Sequence, residues 1–319
     1  ANETSLSGTN NATVTLGNVA EITIKATQAI SGMYDAASKE FTVNIGKASL
    51  TATADDKTRL YGQDQDNPTF TISYDGFKGT DSVTDLDTMP TASSLATVAS
   101  DAGIYGIELT EGEDANYAIT NTSGTLTIGK APLTVAANAN QTKVYGSAEP
   151  TFTYVVSGLV NGDEATDLET LSISRDAGET VGSYTITPVA IDANYEVTAE
   201  TADFIITAAS LTITGLTGDN KVYDGNTDAT TSGTPVLSGV ISGDAVVLGG
   251  TPVFTFASAE LGTDIRITTT GFIITGADSG NYTLTQPTLY ADILTTLGLE
   301  GITGEKLSLK LYPNPSINY

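Results

Sequence analysis

The chain of 319 residues contains 13 Lys and Arg against 38 Asp and Glu, so its formal net charge is −25 at pH 7. It contains no His, Cys or Trp, which excludes His-based acid–base catalysis, Cys nucleophiles, disulfides and Cys/His metal sites. Such an acidic surface repels phosphate backbones and argues against nucleic acid as a partner, and no apolar run reaches the roughly 18 residues of a membrane span.

Residues 1–46 end in the way that the later repeats end. Tyr34 stands 16 residues before Leu50, and the strand-like sequence EFTVNIGK lies between them. The opening half of a repeat is missing from this segment. We therefore interpret residues 1–46 as the last strands of an upstream domain.

Three copies of one pattern follow, with a period of about 80 residues, and such periodicity is typical of repeat proteins. Each copy opens on a strand that begins with Leu50, Leu133 or Leu211. A tyrosine follows 11 or 12 residues later, at Tyr61, Tyr145 and Tyr223, and an Asn-Tyr pair closes each copy at Tyr117, Tyr195 and Tyr282. The phase places the repeats at 47–128, 129–207 and 208–294, with 295–319 outside the pattern.

Within a repeat, apolar and polar residues alternate, which is typical of strands with one buried face. The alternation is clear in TFTISY (69–74), TFTYVV (151–156) and SYTITP (183–188), with Thr at many of the outward positions. The acidic stretches 79–87 and 162–169 could each form one or two helical turns. We predict a mainly β chain of small β-rich domains, β-grasp-like or Ig-like sandwiches, with at most one short helix per repeat. The short junction 127–133 further predicts an elongated rod.

The surplus of carboxylates favours solubility, and it could also bind a divalent cation. The best candidate ligands are Asp224, Asn226 and Asp228, which present oxygens at alternate positions as calcium loops do. Pro235 stands where such a loop has its bidentate Glu. The alternative is a tight turn around Gly225, with Asp and Asn bonded to their own backbone. We predict no cofactor, and Ca²⁺ is the one ion left as an alternative.

The repeated tyrosines could be platforms for sugars, but their recurrence at one place in every repeat favours a core or interface role. A ring with its hydroxyl bonded at the edge of a module satisfies both burial and polarity. Carboxylate pairs such as Glu111 and Glu113, or Asp163 and Glu164, could in principle hydrolyse a glycosidic bond. Small β modules offer no large pocket for such chemistry, so we predict no catalytic residues and no enzyme.

The K-A-x-L-T start, the Tyr-Gly pair, the P-T-F-T strand and the closing A-N-Y resemble MBG repeats of the YGX type. KVYDGNTDAT at Lys221–Thr230 resembles the related YDG repeat. The resemblance implies a β-rich fold without catalytic activity, in tandem arrays of large bacterial surface and adhesin-like proteins. Residues 1–46 are similar to the closing strands of a bacterial Ig-like repeat.

The C-terminal sequence LSLKLYPNPS resembles the opening of a type A C-terminal sorting domain of the Bacteroidota type IX secretion system. The matching residues are Tyr312, Pro313, Asn314, Pro315 and Ser316. The alternative is an extended linker, since two prolines prevent a helix there. The resemblance implies export by the type IX machinery to the cell surface. Such exported proteins are often O-glycosylated at Asp-Ser/Thr followed by a small or apolar residue, which predicts modification of Ser82 and Thr88.

These observations predict a non-enzymatic stalk of an extracellular adhesin-like protein, which holds a distal adhesive region away from the cell. Two alternatives remain open. The repeats could bind surface glycans or other cells through their own acidic loops, or the chains could self-associate into fibres through exposed sheet edges.

Overall fold

The computed structural model of the chain describes residues 18, 20–63 and 68–295. A hairpin comes first, formed by β1 (Ala20–Gln28) and β2 (Ala37–Ile45), which pair antiparallel from Ala20 opposite Ile45 to Gln28 opposite Ala37. The tail at Tyr312–Ser316 lies outside the described residues, as do the first 17 residues. The sorting-signal prediction therefore stays a prediction.

Each repeat consists of seven strands in two sheets. In the first repeat the strands are β3 (Ala48–Ala54), β4 (Lys57–Leu60), β5 (Ile72–Asp75), β6 (Ala92–Ser93), β7 (Gly103–Leu109), β8 (Tyr117–Thr122) and β9 (Gly124–Gly129). The sheets have the orders β5-β3-β8 and β4-β9-β7-β6. The pairs β3–β8 and β4–β9 are parallel and the other pairs are antiparallel.

The second and third repeats have the same strand order. In the second repeat the strands are β10 (Ala131–Ala137), β11 (Gln141–Val144), β12 (Tyr154–Ser157), β13 (Thr170–Arg175), β14 (Gly182–Ile191), β15 (Tyr195–Glu200) and β16 (Ala202–Thr207). In the third they are β17 (Ala209–Gly218), β18 (Lys221–Val222), β19 (Thr231–Ser238), β20 (Val247–Phe256), β21 (Gly262–Thr275), β22 (Tyr282–Thr285) and β23 (Thr288–Leu294). The sheets are β12-β10-β15 with β11-β16-β14-β13, and β19-β17-β22 with β18-β23-β21-β20.

The described chain divides into two compact units. The first contains the hairpin, the first repeat and, from the second repeat, the residues up to Asn138 with the stretches Phe152–Ser174 and Ile186–Ala202. The second contains Ala139–Thr151, Arg175–Thr185 and the residues from Asp203 through the third repeat.

Alternation along the strands creates the core. In β9, Leu126 and Ile128 are buried while Thr127 between them is exposed. The two buried side chains pack in one cluster with Leu133 and Val135 of β10. In the second unit, the corresponding cluster contains Phe256, Ile267 and Ile293. Of the predicted alternating runs, SYTITP lies wholly within β14 and buries Ile186. The other two strands are shorter than predicted, because β5 begins only at Ile72 and β12 only at Tyr154, whose side chain is exposed.

The acidic stretches form 3-10 turns at Val83–Asp85 and Ala165–Asp167, as predicted. Each turn is followed by a buried leucine, Leu86 or Leu168, which anchors it to the domain. A third turn at Ser279–Asn281 was not predicted. Within the described residues no α-helix is present, and the paired sheets confirm the prediction of tandem β-rich domains, as sandwiches rather than β-grasp folds.

Candidate functional site: the tyrosine junctions

One carboxylate of the second repeat binds a tyrosine from each of two repeats. Tyr61 follows β4, and its backbone N–H donates to the carbonyl of Gly129 at the end of β9, 2.8 Å away. Its hydroxyl donates to Oδ2 of Asp163 (3.1 Å), 102 residues later, and the hydroxyl of Tyr195 donates to the same oxygen (2.7 Å). The amide of Asn161 also donates to the Tyr61 hydroxyl (3.2 Å). We call this arrangement a tyrosine junction.

The second unit contains the same junction one repeat later. The backbone N–H of Tyr145 donates to the carbonyl of Thr207 (2.8 Å), and its hydroxyl donates to Oδ2 of Asp244 (2.9 Å). The hydroxyl of Tyr282 donates to the same oxygen. In both junctions the two rings meet edge to face, with centroids 5.5 Å and 5.4 Å apart and interplanar angles of 81° and 79°. This is a favourable aromatic geometry.

We call the carboxylate, the tyrosine of the same repeat and the backbone N–H that binds its hydroxyl the receiving half of the junction. One loop and the start of one strand supply these groups. The backbone N–H of Val160 donates to the hydroxyl of Tyr195, and that of Ile241 donates to the hydroxyl of Tyr282, both at 3.0 Å. Each of these hydroxyls is therefore fixed by one donor and one carboxylate acceptor.

The first repeat has a receiving half of the same composition. The backbone N–H of Lys78 donates to the hydroxyl of Tyr117, and this hydroxyl donates to Oδ2 of Asp81, both at 2.8 Å. The ring of Phe77 contacts the ring of Tyr117 edge to face at 5.5 Å.

A glycine after the incoming tyrosine lets the two repeats approach. Gly62 and Gly146 have φ angles of +73° and +76°, which favour glycine. A Cβ atom at Gly62 would lie 2.4 Å from the side chain of Val160, and one at Gly146 would lie 2.1 Å from that of Ile241. The Tyr-Gly pair of the sequence is thus one structural unit, in which the tyrosine binds and the glycine leaves room for its partner.

The asparagines of the second and third closing Asn-Tyr pairs each bind an earlier segment of the chain. In the first unit, Asn194 donates from its amide to Asp101 (3.0 Å) and accepts from the backbone N–H of Ala102 (2.8 Å). In the second unit, Asn281 accepts from the backbone N–H of Val181 (3.0 Å). In these two copies the Asn-Tyr pair therefore makes two kinds of contact: the asparagine binds an earlier segment, and the tyrosine donates to the junction carboxylate.

The junction tyrosines remain protonated donors near neutral pH. Burial raises the pKa of Tyr195 to about 12, and the hydrogen bond to Asp244 raises the pKa of Tyr145 to about 12. Burial also raises the pKa of Tyr61. At neutral pH these hydroxyls therefore keep their protons and can donate the hydrogen bonds described above.

The sequence analysis placed the repeated tyrosines in a core or at an interface, and Tyr61 and Tyr145 confirm that interpretation. Tyr223 differs. Its backbone N–H donates to Leu294 as in the other repeats (2.8 Å), but its side chain is 46% exposed and is followed by Asp224 instead of glycine.

Comparison with known families agrees with this repeated geometry. Residues 50–127 and 133–205 each match the MBG domain (YGX type), and residues 207–289 match the YDG domain. The chain carries two MBG domains followed by a YDG domain. No curated protein matches the chain.

Among solved structures, the chain is similar to the three N-terminal domains of the bacteriophage RB49 Highly Immunogenic Outer Capsid protein (Hoc). The identity is 13% and the TM-score 0.29, over 78% of this chain and 99% of that one. It is also similar to Drosophila N-cadherin EC1-4, with 8% identity and a TM-score of 0.20 over 83% of each chain.

The predicted calcium ligands of the YDG domain surround a lysine. The ammonium of Lys221 lies 2.8 Å from Oδ1 of Asp224, 2.7 Å and 2.9 Å from the carbonyl and Oδ1 of Asn226, and 3.0 Å from the carbonyl of Asp228. The side chain of Asp228 is not among these contacts. In the described parts of the chain, no group of three or more acidic side chains is arranged to hold a metal.

We expect titration of the chain with Ca²⁺ to release no heat and to leave the melting temperature unchanged. An ion at Asp224 and Asn226 would have to displace the ammonium of Lys221, which already neutralises these oxygens. Isothermal calorimetry and thermal unfolding in EGTA and in Ca²⁺ measure this. A calcium-dependent rise in melting temperature would support the metal site that the sequence suggested.

Each domain holds a cation two residues before the tyrosine that follows its second strand: Arg59 before Tyr61, Lys143 before Tyr145 and Lys221 before Tyr223. Arg59 is buried and donates to the carbonyls of Gln63 (2.7 Å) and Thr97 (2.5 Å). These cations have the partners that burial of a charge requires.

The second MBG domain uses a four-membered ion network at this place. Lys143 lies 2.7 Å from Glu149 and 2.5 Å from Glu179, and Arg175 lies 2.5 Å and 2.7 Å from the same two carboxylates. The two cationic side chains are only 5% and 7% exposed. The hydrogen bond from Arg175 holds the pKa of Glu149 at about 2, and Lys143 lowers that of Glu179.

This network predicts sensitivity to acid. Because the folded pKa of Glu149 is about 2 against an ordinary 4.5, its contribution is present above pH 4.5 and disappears as the pH falls towards 2. We expect Glu149→Gln to lower the melting temperature at neutral pH and to have no effect near pH 2. Thermal unfolding across this range measures it, with Glu196→Gln, an exposed carboxylate of β15, as control. If Glu149→Gln lowered the melting temperature equally at neutral pH and near pH 2, the ionised Glu149 would not be the source of the stability.

The other predicted residues lie apart from the junctions. Ser82 precedes the 3-10 turn of the first MBG domain and donates from its hydroxyl to Asp85 (2.9 Å), and Thr88 pairs with Glu113 through the backbone. Both side chains are exposed, so both are accessible, and their glycosylation stays a prediction. Over the described ranges, no helix is long and apolar enough to cross a membrane.

Proposed function

We propose that these repeats are the non-enzymatic stalk of a secreted, cell-surface adhesin-like protein, and that they space a distal adhesive region from the cell. The observation that carries the proposal is the tyrosine junction, which recurs with the same residue types in the same geometry. A stalk must resist bending at its joints, and a half-buried carboxylate shared by two hydroxyls restrains both partners.

The short connections between domains support the same role. Only Lys130 separates β9 from β10, and only Ala208 separates β16 from β17. Lys130 is further tied to the carbonyl of Asp192 (2.9 Å). Export by the type IX machinery and attachment at the cell surface belong to this proposal, and they rest on the resemblance of the C-terminal tail.

Small-angle scattering of the purified chain tests the proposal. A compact protein of this length has a radius of gyration of about 20 Å. We expect a clearly larger value, unchanged between EGTA and Ca²⁺. A radius near 20 Å, or one that depends on calcium, would overturn the stalk and favour binding through the acidic loops instead.

A further inference from the structure

We infer that the first MBG domain carries a binding site for the Tyr-Gly turn of another repeat of the same type. Three receiving halves are described in the chain, and two of them hold an incoming tyrosine. The third consists of Asp81, Tyr117 and the backbone N–H of Lys78, with two hydrogen bonds of 2.8 Å where the site at Asp163 has 3.0 Å and 2.7 Å. In this third site the ring that meets Tyr117 edge to face is Phe77 of the same domain.

The carboxylate of this third site faces solvent. Asp163 and Asp244 are half-buried beneath their incoming tyrosines, whereas Asp81 is exposed. Among the described residues, Asp81 receives one tyrosine hydroxyl where its counterparts receive two.

The preceding hairpin indicates the direction from which the turn arrives. In each MBG domain the closing strand, β9 or β16, pairs in parallel with the short strand that ends at the junction tyrosine. The strand β2 leads through two residues into β3, and β9 leads through one residue into β10, with the same Gly-Lys-Ala sequence at both places. Gly46 thus corresponds to Gly129, whose carbonyl receives the backbone N–H of Tyr61.

In the described chain β2 pairs only with β1. Its other edge is therefore available to a short parallel strand, which would carry a tyrosine from that edge towards Asp81. The occupant of the site is accordingly a whole repeat. Its short strand would pair with β2, its tyrosine hydroxyl would donate to Asp81, and its glycine would allow the backbone to pass close to Lys78. This inference concerns one contact and does not depend on the stalk proposal, which scattering tests separately.

Insertion of a second copy of residues 130–207 between Gly46 and Lys47 of the full chain tests the site. The insert preserves the sequence spacing at both new boundaries and presents its Tyr145 to Asp81. The readout is hydrogen exchange in peptides covering 77–83 and 114–119, which occur once in the extended chain. We expect their exchange to slow roughly tenfold relative to the parent chain.

Two variants of the inserted copy assign the effect. Tyr145→Ala in the insert should return the exchange rate to that of the parent, and Tyr154→Ala, an exposed tyrosine of the same insert, should leave it slow. The inference would be overturned if the strands of the insert were protected from exchange while the exchange rates of both peptides stayed those of the parent chain.

A second extended chain covers the case in which the first insert does not fold. It carries an additional copy of residues 47–129 with Tyr61 as the donor. In this copy Val83→Ile and Ile119→Val separate its peptides by mass from those of the original domain. Slower exchange in the peptides of the original domain supports the site if Tyr61→Ala in the insert abolishes the slowing. Exchange in these peptides that is unchanged from the parent chain overturns the inference.

Discussion

Replacement of Asp163 by alanine is expected to destabilise the first unit by about 2–4 kcal/mol, because two buried hydroxyls lose their common acceptor. Tyr61 and Tyr195 are 5% and 3% exposed, so water replaces the carboxylate poorly. Urea unfolding followed by tyrosine fluorescence measures the loss as a lower midpoint of the affected transition.

The chain contains a matched control for this variant. Asp81 occupies the same place in the first MBG domain but accepts from Tyr117 alone. Asp81→Ala should therefore cost about half as much, roughly 1–2 kcal/mol. Equal losses in the two variants would mean that the incoming hydroxyl of Tyr61 contributes nothing to stability.

Gly62→Ala should destabilise the same junction by roughly 2–4 kcal/mol, as the sum of a strained backbone and an overpacked contact. The φ of +73° disfavours any side chain, and the new methyl group would meet Cγ2 of Val160 at 2.4 Å. The midpoint of urea unfolding measures this loss as well.

Two further variants separate strain from contact. Gly162 has a similar φ of +84° with nothing within 4 Å of a new Cβ atom, so Gly162→Ala should cost only the strain, about 1 kcal/mol. Val160→Ala in the Gly62→Ala background should recover part of the lost stability by making room. If that double variant were less stable than the sum of the single ones predicts, the contact would not be the cause.

Much of the fold could be predicted because it depends on local pattern. The alternation in SYTITP predicted an inward-facing Ile186, which is fully buried in β14, and the acidic stretches predicted helical turns where both 3-10 turns lie. Recurrence at one place in every repeat was enough to assign Tyr61 and Tyr145 to an interface. The tandem MBG and YDG domains were identified from the same short motifs.

The partner of those tyrosines could not be predicted in this way. Asp163 is one of 38 acidic residues, and its contact with Tyr61 spans 102 positions, so no local signal distinguishes it. The signal that could have found it is comparison between repeats, since Asp81, Asp163 and Asp244 occupy the same place after a Gly-containing loop. The position of Lys221 among the predicted calcium ligands was missed for a related reason. The spacing of oxygens suggests a bound cation, but it does not indicate that a lysine of the same chain is that cation.

The second MBG domain carries both halves of the junction, a Tyr-Gly turn at Tyr145 and a receiving site at Asp163 and Tyr195. Such a domain can be joined at either end through the same pair of contacts, so a series of copies requires only one kind of joint.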